Sequence, residues 1–403
     1  MTAEPAAPQS EPERPTRSVR EGVAMSVLVL AVGSFSVIGA SANAPLLSSA
    51  LGLSEVGIGA IASVAYVGAM SSARVSGRIT DRRGPAVVII AGLVLMALGD
   101  GIALSAFHAS VLYLGSVVVG LGYGAINPST TVVSNPRSAK RRGLVMSVKQ
   151  SGVPLGGVAA GAVIPSVGLA FGWRAAFGLA LVLCLALALF VWLRGGYRAR
   201  PPATRVAPRA RGGRRMALPW GYTFGLLIAG VQVSMFAFTA VYLVDARGLS
   251  IARAGLGVSI LLIGGVVGRL FWGWLSDVFF HQRLLVLQGA ALLGAVSIAL
   301  LVVAPDTVLP LVLVAIGVSS VGWNGVYIAA VAEAVEPHRM GAATGTSLAL
   351  INFGAIVTPL LIGVLVSLTG SWSVGLLTLA ALSVAASIVA LVFSEPGPTP
   401  AVV

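Results

Sequence analysis

Lys149 is the sharpest chemical signal in the chain. It lies about two turns inside an apolar helical run and is followed by Gln150. A lysine at such a place costs about 3 kcal/mol on insertion scales, so its ammonium must face an aqueous cavity or a partner. Neighbouring helices carry no acid at a comparable depth, which leaves a bound anion as its counter-ion. The competing reading is a lysine snorkelling to a headgroup layer, about 10 Å from the helix start. Other polar residues in apolar helices outline a candidate ligand-facing set: Asn43, Tyr66, Tyr123, Asn127, Gln232, Trp323, Asn324, Tyr327, Ser347 and Asn352. Tyr123 and Asn127 are four apart, as are Trp323 and Tyr327, so each pair shares a helix face. An unpaired amide in hydrocarbon costs several kcal/mol, so these side chains point inward, either to a ligand or to another helix. Asp100 and Glu333 are the remaining buried acids. Either could carry a proton, although a structural role is the reading favoured for both.

Other chemistries are poorly supplied. The lone cysteine, Cys184, sits in an apolar run, and His108, His281 and His338 fall in separate turns, so no metal, haem or disulfide site is expected. No Walker-type phosphate loop occurs, and no cofactor is implied. Clustered nucleophiles and paired acids are missing too, so an enzyme is not expected. The net charge of +13 comes mostly from arginines clustered in turns on one side, which argues against a nucleic-acid partner.

The elements that position these residues follow from composition. The chain is 57% hydrophobic and 10% charged, and its apolar residues fall into runs of about 20, the length of a membrane-crossing helix. Twelve such helices are expected, at 23–47, 56–79, 85–107, 111–134, 144–167 and 174–193, then at 221–243, 252–276, 284–304, 308–334, 342–369 and 373–393. The expected domains are a disordered tail at 1–22, a six-helix bundle at 23–193, a basic linker at 194–218, a second bundle at 219–393 and a tail at 394–403. The basic turns alternate with turns nearly free of lysine and arginine, which places both termini in the cytoplasm. Arg174, Arg247 and Arg253 are the exceptions.

The two bundles echo one another. Gly77-Arg-Ile-Thr-Asp81-Arg82-Arg-Gly84 ends helix 2, and Gly273-Trp-Leu-Ser-Asp277 ends helix 8 with the same glycine-to-aspartate spacing. An arginine lies just upstream of each, Arg74 and Arg269. Helix 4 carries Gly120-Leu-Gly-Tyr-Gly-Ala-Ile-Asn127, and helix 10 carries Gly317 through Gly322-Trp323-Asn324. In helix 5, Gly152 with Gly156 and Gly157 with Gly161 are spaced for close helix packing, and Pro154 should bend the helix.

From Val23 to Phe393 the sequence resembles the major facilitator superfamily. Gly77, Asp81, Arg82 and Gly84 match that family's loop signature, and Ser151-Gly-Val-Pro-Leu-Gly-Gly157 is similar to its helix-5 glycine–proline motif. The resemblance implies an all-α integral membrane fold, with twelve transmembrane helices as two pseudo-symmetric six-helix bundles. It also implies that Gly77, Asp81, Arg82, Gly273 and Asp277 form a conformational latch, with Asp81 meeting helix 11 only when the cytoplasmic side is closed. The function expected is secondary transport of a small organic or inorganic anion by a monomer in the inner membrane. Alternating access would be the mechanism, with a proton as co-ion. Lys149, Gln150 and the polar set would contact the substrate. Efflux of amphipathic drugs, resting on helix 5 and on Phe236, Phe238 and Trp323, is the alternative.

Overall fold

The computed structural model describes residues 17–134, 148–194, 215–216, 218–278, 283–334, 340–392 and 394–395. Most of the expected tails and linker, the start of helix 5, His281 and His338 lie outside the described residues. Among them are twelve helices long and apolar enough to cross a membrane, here called spans 1 to 12. They are Arg20–Ala42, Glu55–Thr80, Pro85–Leu104, Ala109–Ser134, Val148–Phe171 and Trp173–Leu193, then Gly221–Asp245, Ile251–Ser276, Arg283–Val303, Leu309–Val331, Thr346–Thr369 and Trp372–Leu391. The first helix begins earlier than the sequence suggests, at Arg17. Arg215–Met216 pairs antiparallel with Ser394–Glu395, tying the entry of the second half to the chain beyond span 12. Large apolar side chains such as Leu98, Leu114, Trp192 and Leu368 cover the exterior, as a bilayer-facing surface requires.

Helices 1 and 10, expected to be continuous, are broken. The first stops at Ala42, and a separate helix runs over Ala44–Leu51. Pro45 sits in the first turn of that helix, where its missing N–H costs nothing but stops the preceding ladder from continuing. Span 10 is two helices, Leu309–Gly322 and Asn324–Ala334, joined at Trp323.

Packing repeats between the halves. Span 1 packs on span 5, span 2 on span 4 and span 3 on span 6; in the second half span 7 packs on span 11, span 8 on span 10 and span 9 on span 12. The halves meet mainly through spans 2 and 11 and through spans 5 and 8, two contacts that a pseudo-twofold axis interchanges. Glycines set these approaches. A Cβ on Gly120 would overlap the Ala65 carbonyl of span 2, and one on Gly317 would overlap the Leu261 carbonyl of span 8. Gly156 meets Ala31 of span 1, as Gly354 meets Leu226 of span 7. Gly59, Ser63 and Gly68 recur at a constant offset as Gly255, Ser259 and Gly264. The two serines do the same thing: Ser63 donates to the Ile356 carbonyl at 2.7 Å and Ser259 to the Val158 carbonyl at 2.8 Å, each reaching the opposite half.

Among the described residues, the halves share a continuous apolar core at one end. The face away from the termini is filled by one apolar cluster drawn from both halves, including Leu47, Ile61, Phe238, Leu243, Leu262 and Ile362. Towards the termini the cores separate, around Leu93 and Ile126 in the first half and around Phe224 and Leu287 in the second. Two of the exceptional arginines work at the joined face. Arg174 donates to the Ala106 carbonyl at 2.8 Å beyond span 3 and stacks on Trp173, 4.2 Å from its ring centroid. Arg247 donates to the Leu301 and Ala304 carbonyls at the end of span 9. Both bond carbonyls at or just beyond a helix C-terminus, where the dipole favours a cation.

Gly317→Ala should lower thermal stability in detergent despite a helix-propensity gain of about 1 kcal/mol. The overlap with the Leu261 carbonyl outweighs that gain, because forced backbone shifts cost about 1–3 kcal/mol. Gly77→Ala, whose Cβ meets nothing within 4 Å, should be neutral or stabilising. Melting curves of the two purified variants check both signs.

Candidate functional site

Lys149 follows Val148 at the start of the described part of span 5 and is only 1% exposed. Its ammonium is enclosed by protein groups. Its Nζ turns towards span 4 and lies 3.2 Å from the Asn127 carbonyl, 3.1 Å from Asn127 Oδ1 and 2.6 Å from Thr131 Oγ1. An ammonium has three donors, and three neutral acceptors take them. Thr131 in turn donates to the Asn127 carbonyl at 3.0 Å, so the cage is closed on itself. Among the described residues no carboxylate pairs with Lys149.

A second buried cation reaches the next residue of span 5 from the other half. Arg269 of span 8 is 7% exposed. Its Nη1 donates to the Gln150 carbonyl and its Nε to the Val321 carbonyl at 3.4 Å. Both acceptors exist because a helix is interrupted. Pro154 has no N–H to offer the carbonyl four residues back, which is Gln150, and the helix is broken at Ser151. Val321 lies in the last turn before the break at Trp323, where carbonyls lose their intrahelical donors. The carbonyl that Pro154 leaves without a helical donor is taken by the opposite bundle. Tyr66 and Tyr123 lie within electrostatic range of the Arg269 charge, and the Tyr123 hydroxyl bonds Ser34 of span 1.

Sequence reading treated Arg269 only as the echo of Arg74. The structure separates them: Arg74 is exposed and Arg269 is buried. The register that aligns Gly77 with Gly273 puts Ala73, not Arg74, opposite Arg269. One residue turns a helix by about 100°, enough to move a side chain from the outer face to the inner one. The signal that could have found Arg269 was its place between Gly268 and Leu270 in an apolar run.

The remaining candidates divide by location. Gln232, Trp323, Tyr327 and Ser347 form a buried knot within the second half. Trp323 Nε1 donates to Gln232 Oε1 at 2.8 Å, and the Tyr327 and Ser347 hydroxyls lie 2.7 Å apart. Phe224 stacks on Tyr327 and meets Trp323 edge-on. Asn324 and Asn352 are half-buried on spans 10 and 11. Gln150 is half-buried beside Lys149, and its Oε1 has no partner among the described residues. Asn43 sits at the joined face and donates to the Trp173 carbonyl at 3.0 Å, away from the two cations. Asp100 is buried inside the first bundle, where the Ser36 hydroxyl lies 2.9 and 2.8 Å from its two oxygens. Glu333 lies on the helix Asn324–Ala334, but its side chain is outside the described residues. The same holds for Asp81 and Asp277. Arg82 is exposed, and a Cβ on Gly77 or Gly273 would touch nothing within 4 Å, so neither glycine is closely packed here.

The sequence profile described as Major Facilitator Superfamily matches residues 24–347 and 223–403. The chain is 27% identical over 380 residues to the hexuronate transporter of Bacillus subtilis (strain 168), covering 88% of this chain and 90% of that protein. It is 27% identical over 347 residues to the gentisate transporter of Corynebacterium glutamicum, covering 80% and 75%. In three dimensions it matches a crystal structure of a nucleoside transporter with a TM-score of 0.72 at 16% identity, covering 92% of this chain and 99% of that one.

Lys149 is costly for the fold, so Lys149→Met should leave the melting temperature unchanged or raise it, as replacing a buried charge with an apolar side chain often does. Asn127→Leu should destabilise by about 1–3 kcal/mol by leaving the ammonium short of acceptors. In the double variant that loss should largely vanish, and a thermal double-mutant cycle reads the coupling.

Proposed function

Because the chain belongs to the major facilitator superfamily, we propose that it is a secondary transporter that moves a small organic anion between its two bundles by alternating access. The observation that carries this reading is Lys149, a buried ammonium held only by neutral groups of span 4. At an effective dielectric of about 20, an anion 4 Å away gains about 4 kcal/mol from one such charge. The hexuronate and gentisate named in two relatives are both small carboxylates, which fits a site of that sign. Asn127, which holds Lys149, and Gln150, which follows it, are the nearest members of the proposed contact set. Tyr123, Gln232, Trp323, Asn324, Tyr327 and Asn352 extend it across the halves, whereas Asn43 belongs to the joined face.

With the basic turns on the cytoplasmic side of the plasma membrane, both termini are cytoplasmic and the joined face is the outer one. The state described is then closed to the outside. Gly77, Asp81, Arg82, Gly273 and Asp277 are proposed to close the inner side in the other state. A proton is the proposed co-ion, with Asp100 and Glu333 as its candidate carriers. Both halves of the site come from one chain, so a monomer suffices. Phe236 and Phe238 are buried in the apolar cluster of the joined face, which gives drug efflux no additional support.

Uptake of labelled D-glucuronate and gentisate into proteoliposomes tests the function. Lys149→Ala should lower kcat/KM at least about tenfold, since tenfold is about 1.4 kcal/mol and the charge supplies up to about 4 kcal/mol to an anion 4 Å away. Full activity with unchanged KM would remove Lys149 from the site.

A further inference from the structure

We infer that Arg269 is the residue that grips the substrate carboxylate directly, while Lys149 supplies a fixed field from behind. This rests on the anion reading above and assigns a binding role within it. The first argument is a count of donors. All three Lys149 donors are already engaged by Asn127 and Thr131. A guanidinium has five N–H donors in a planar fork. Arg269 engages one on the Gln150 carbonyl and one on the Val321 carbonyl, and the others have no partner among the described residues. Of the two cations, only Arg269 can offer a carboxylate two parallel bonds without first dismantling a cage.

The second argument concerns what Arg269 holds in the absence of substrate. Both acceptors are neutral main-chain carbonyls, left over by Pro154 and by the break at Trp323. A carboxylate is a stronger acceptor than either, because both partners then carry charge. The carbonyls therefore act as placeholders that a ligand can displace. One of them, Gln150, belongs to the opposite half, so gripping substrate exchanges a contact between bundles for a contact with cargo.

The third argument concerns ligand class. Tyr66 and Tyr123 lie within electrostatic range of Arg269, and a tyrosine hydroxyl can donate to or accept from a second polar group. The fitting ligand is a small carboxylate that also carries a hydroxyl, rather than a purely apolar acid.

Titration of the purified protein with gentisate, D-glucuronate and gentisamide, the uncharged amide of gentisate, tests this. Wild type should bind gentisate at least about tenfold tighter than gentisamide. Arg269→Gln should reduce that preference several-fold, weakening gentisate far more than gentisamide. Arg269→Lys keeps the charge but loses the fork, and should fall between the two. If Arg269→Gln does not fold, as judged by size exclusion, Arg269→Lys decides: affinity equal to wild type overturns the inference, and a several-fold loss for gentisate alone supports it. Loss of gentisate binding in Lys149→Gln with both Arg269 variants at wild-type affinity would overturn the role of Arg269 and leave anion transport standing. Binding of neither carboxylate by wild type would instead overturn the anion reading.

Discussion

In hydrocarbon no main-chain carbonyl can be left without a donor cheaply, since each unmet group costs several kcal/mol. A proline or a broken helix inside a membrane span therefore creates a demand that something else must meet. In this protein Arg269 meets it twice, on Gln150 and on Val321. The same constraint shapes the ends of spans 3 and 9, where Arg174 and Arg247 take the last carbonyls. It also shapes the Lys149 cage, where an ammonium, an amide, a carbonyl and a hydroxyl satisfy one another.

Close packing makes those exchanges specific. Glycines at matched positions let spans 2 and 4, and spans 8 and 10, approach backbone to backbone, so neighbouring carbonyls and side chains are held at set heights. Between lipid-facing helices there is little hydrophobic drive, and such close contact supplies the cohesion instead. The joined face adds hydroxyl bonds at Ser63 and Ser259. Each serine also lies within bonding distance of the carbonyl four residues back in its own helix, 3.0 and 3.3 Å away. Parting the halves would therefore leave neither hydroxyl unsatisfied, which keeps the cost of opening that face low.

The chemistry sits where the repeat fails. Spans 2 and 8 share their glycines and serines, yet Arg269 stands opposite Ala73. The buried cations come from non-equivalent spans, 5 and 8, which pack against each other across the halves. A fully symmetric molecule would have two half-sites; this one concentrates its charge in one of the two cross-half contacts.

Much of the fold was legible in the sequence because bilayer physics writes it locally. Runs of about 20 apolar residues, basic turns on alternate sides and a glycine pattern recurring between halves need no tertiary contact to be read. Lys149 was legible for the same reason, as a charge where none should be. The break in span 10 and the separate helix at Ala44–Leu51 were not, since apolar periodicity runs through both. Arg269 was hidden by an echo that placed it one residue out of register, and only helix rotation within the packed bundle separates it from Arg74. The sequence by itself determined the number of spans, their division into halves and the presence of an unpaired buried charge. Tertiary structure alone decided which donors on Lys149 and Arg269 are already engaged, because that depends on carbonyls freed in one helix and reached from another.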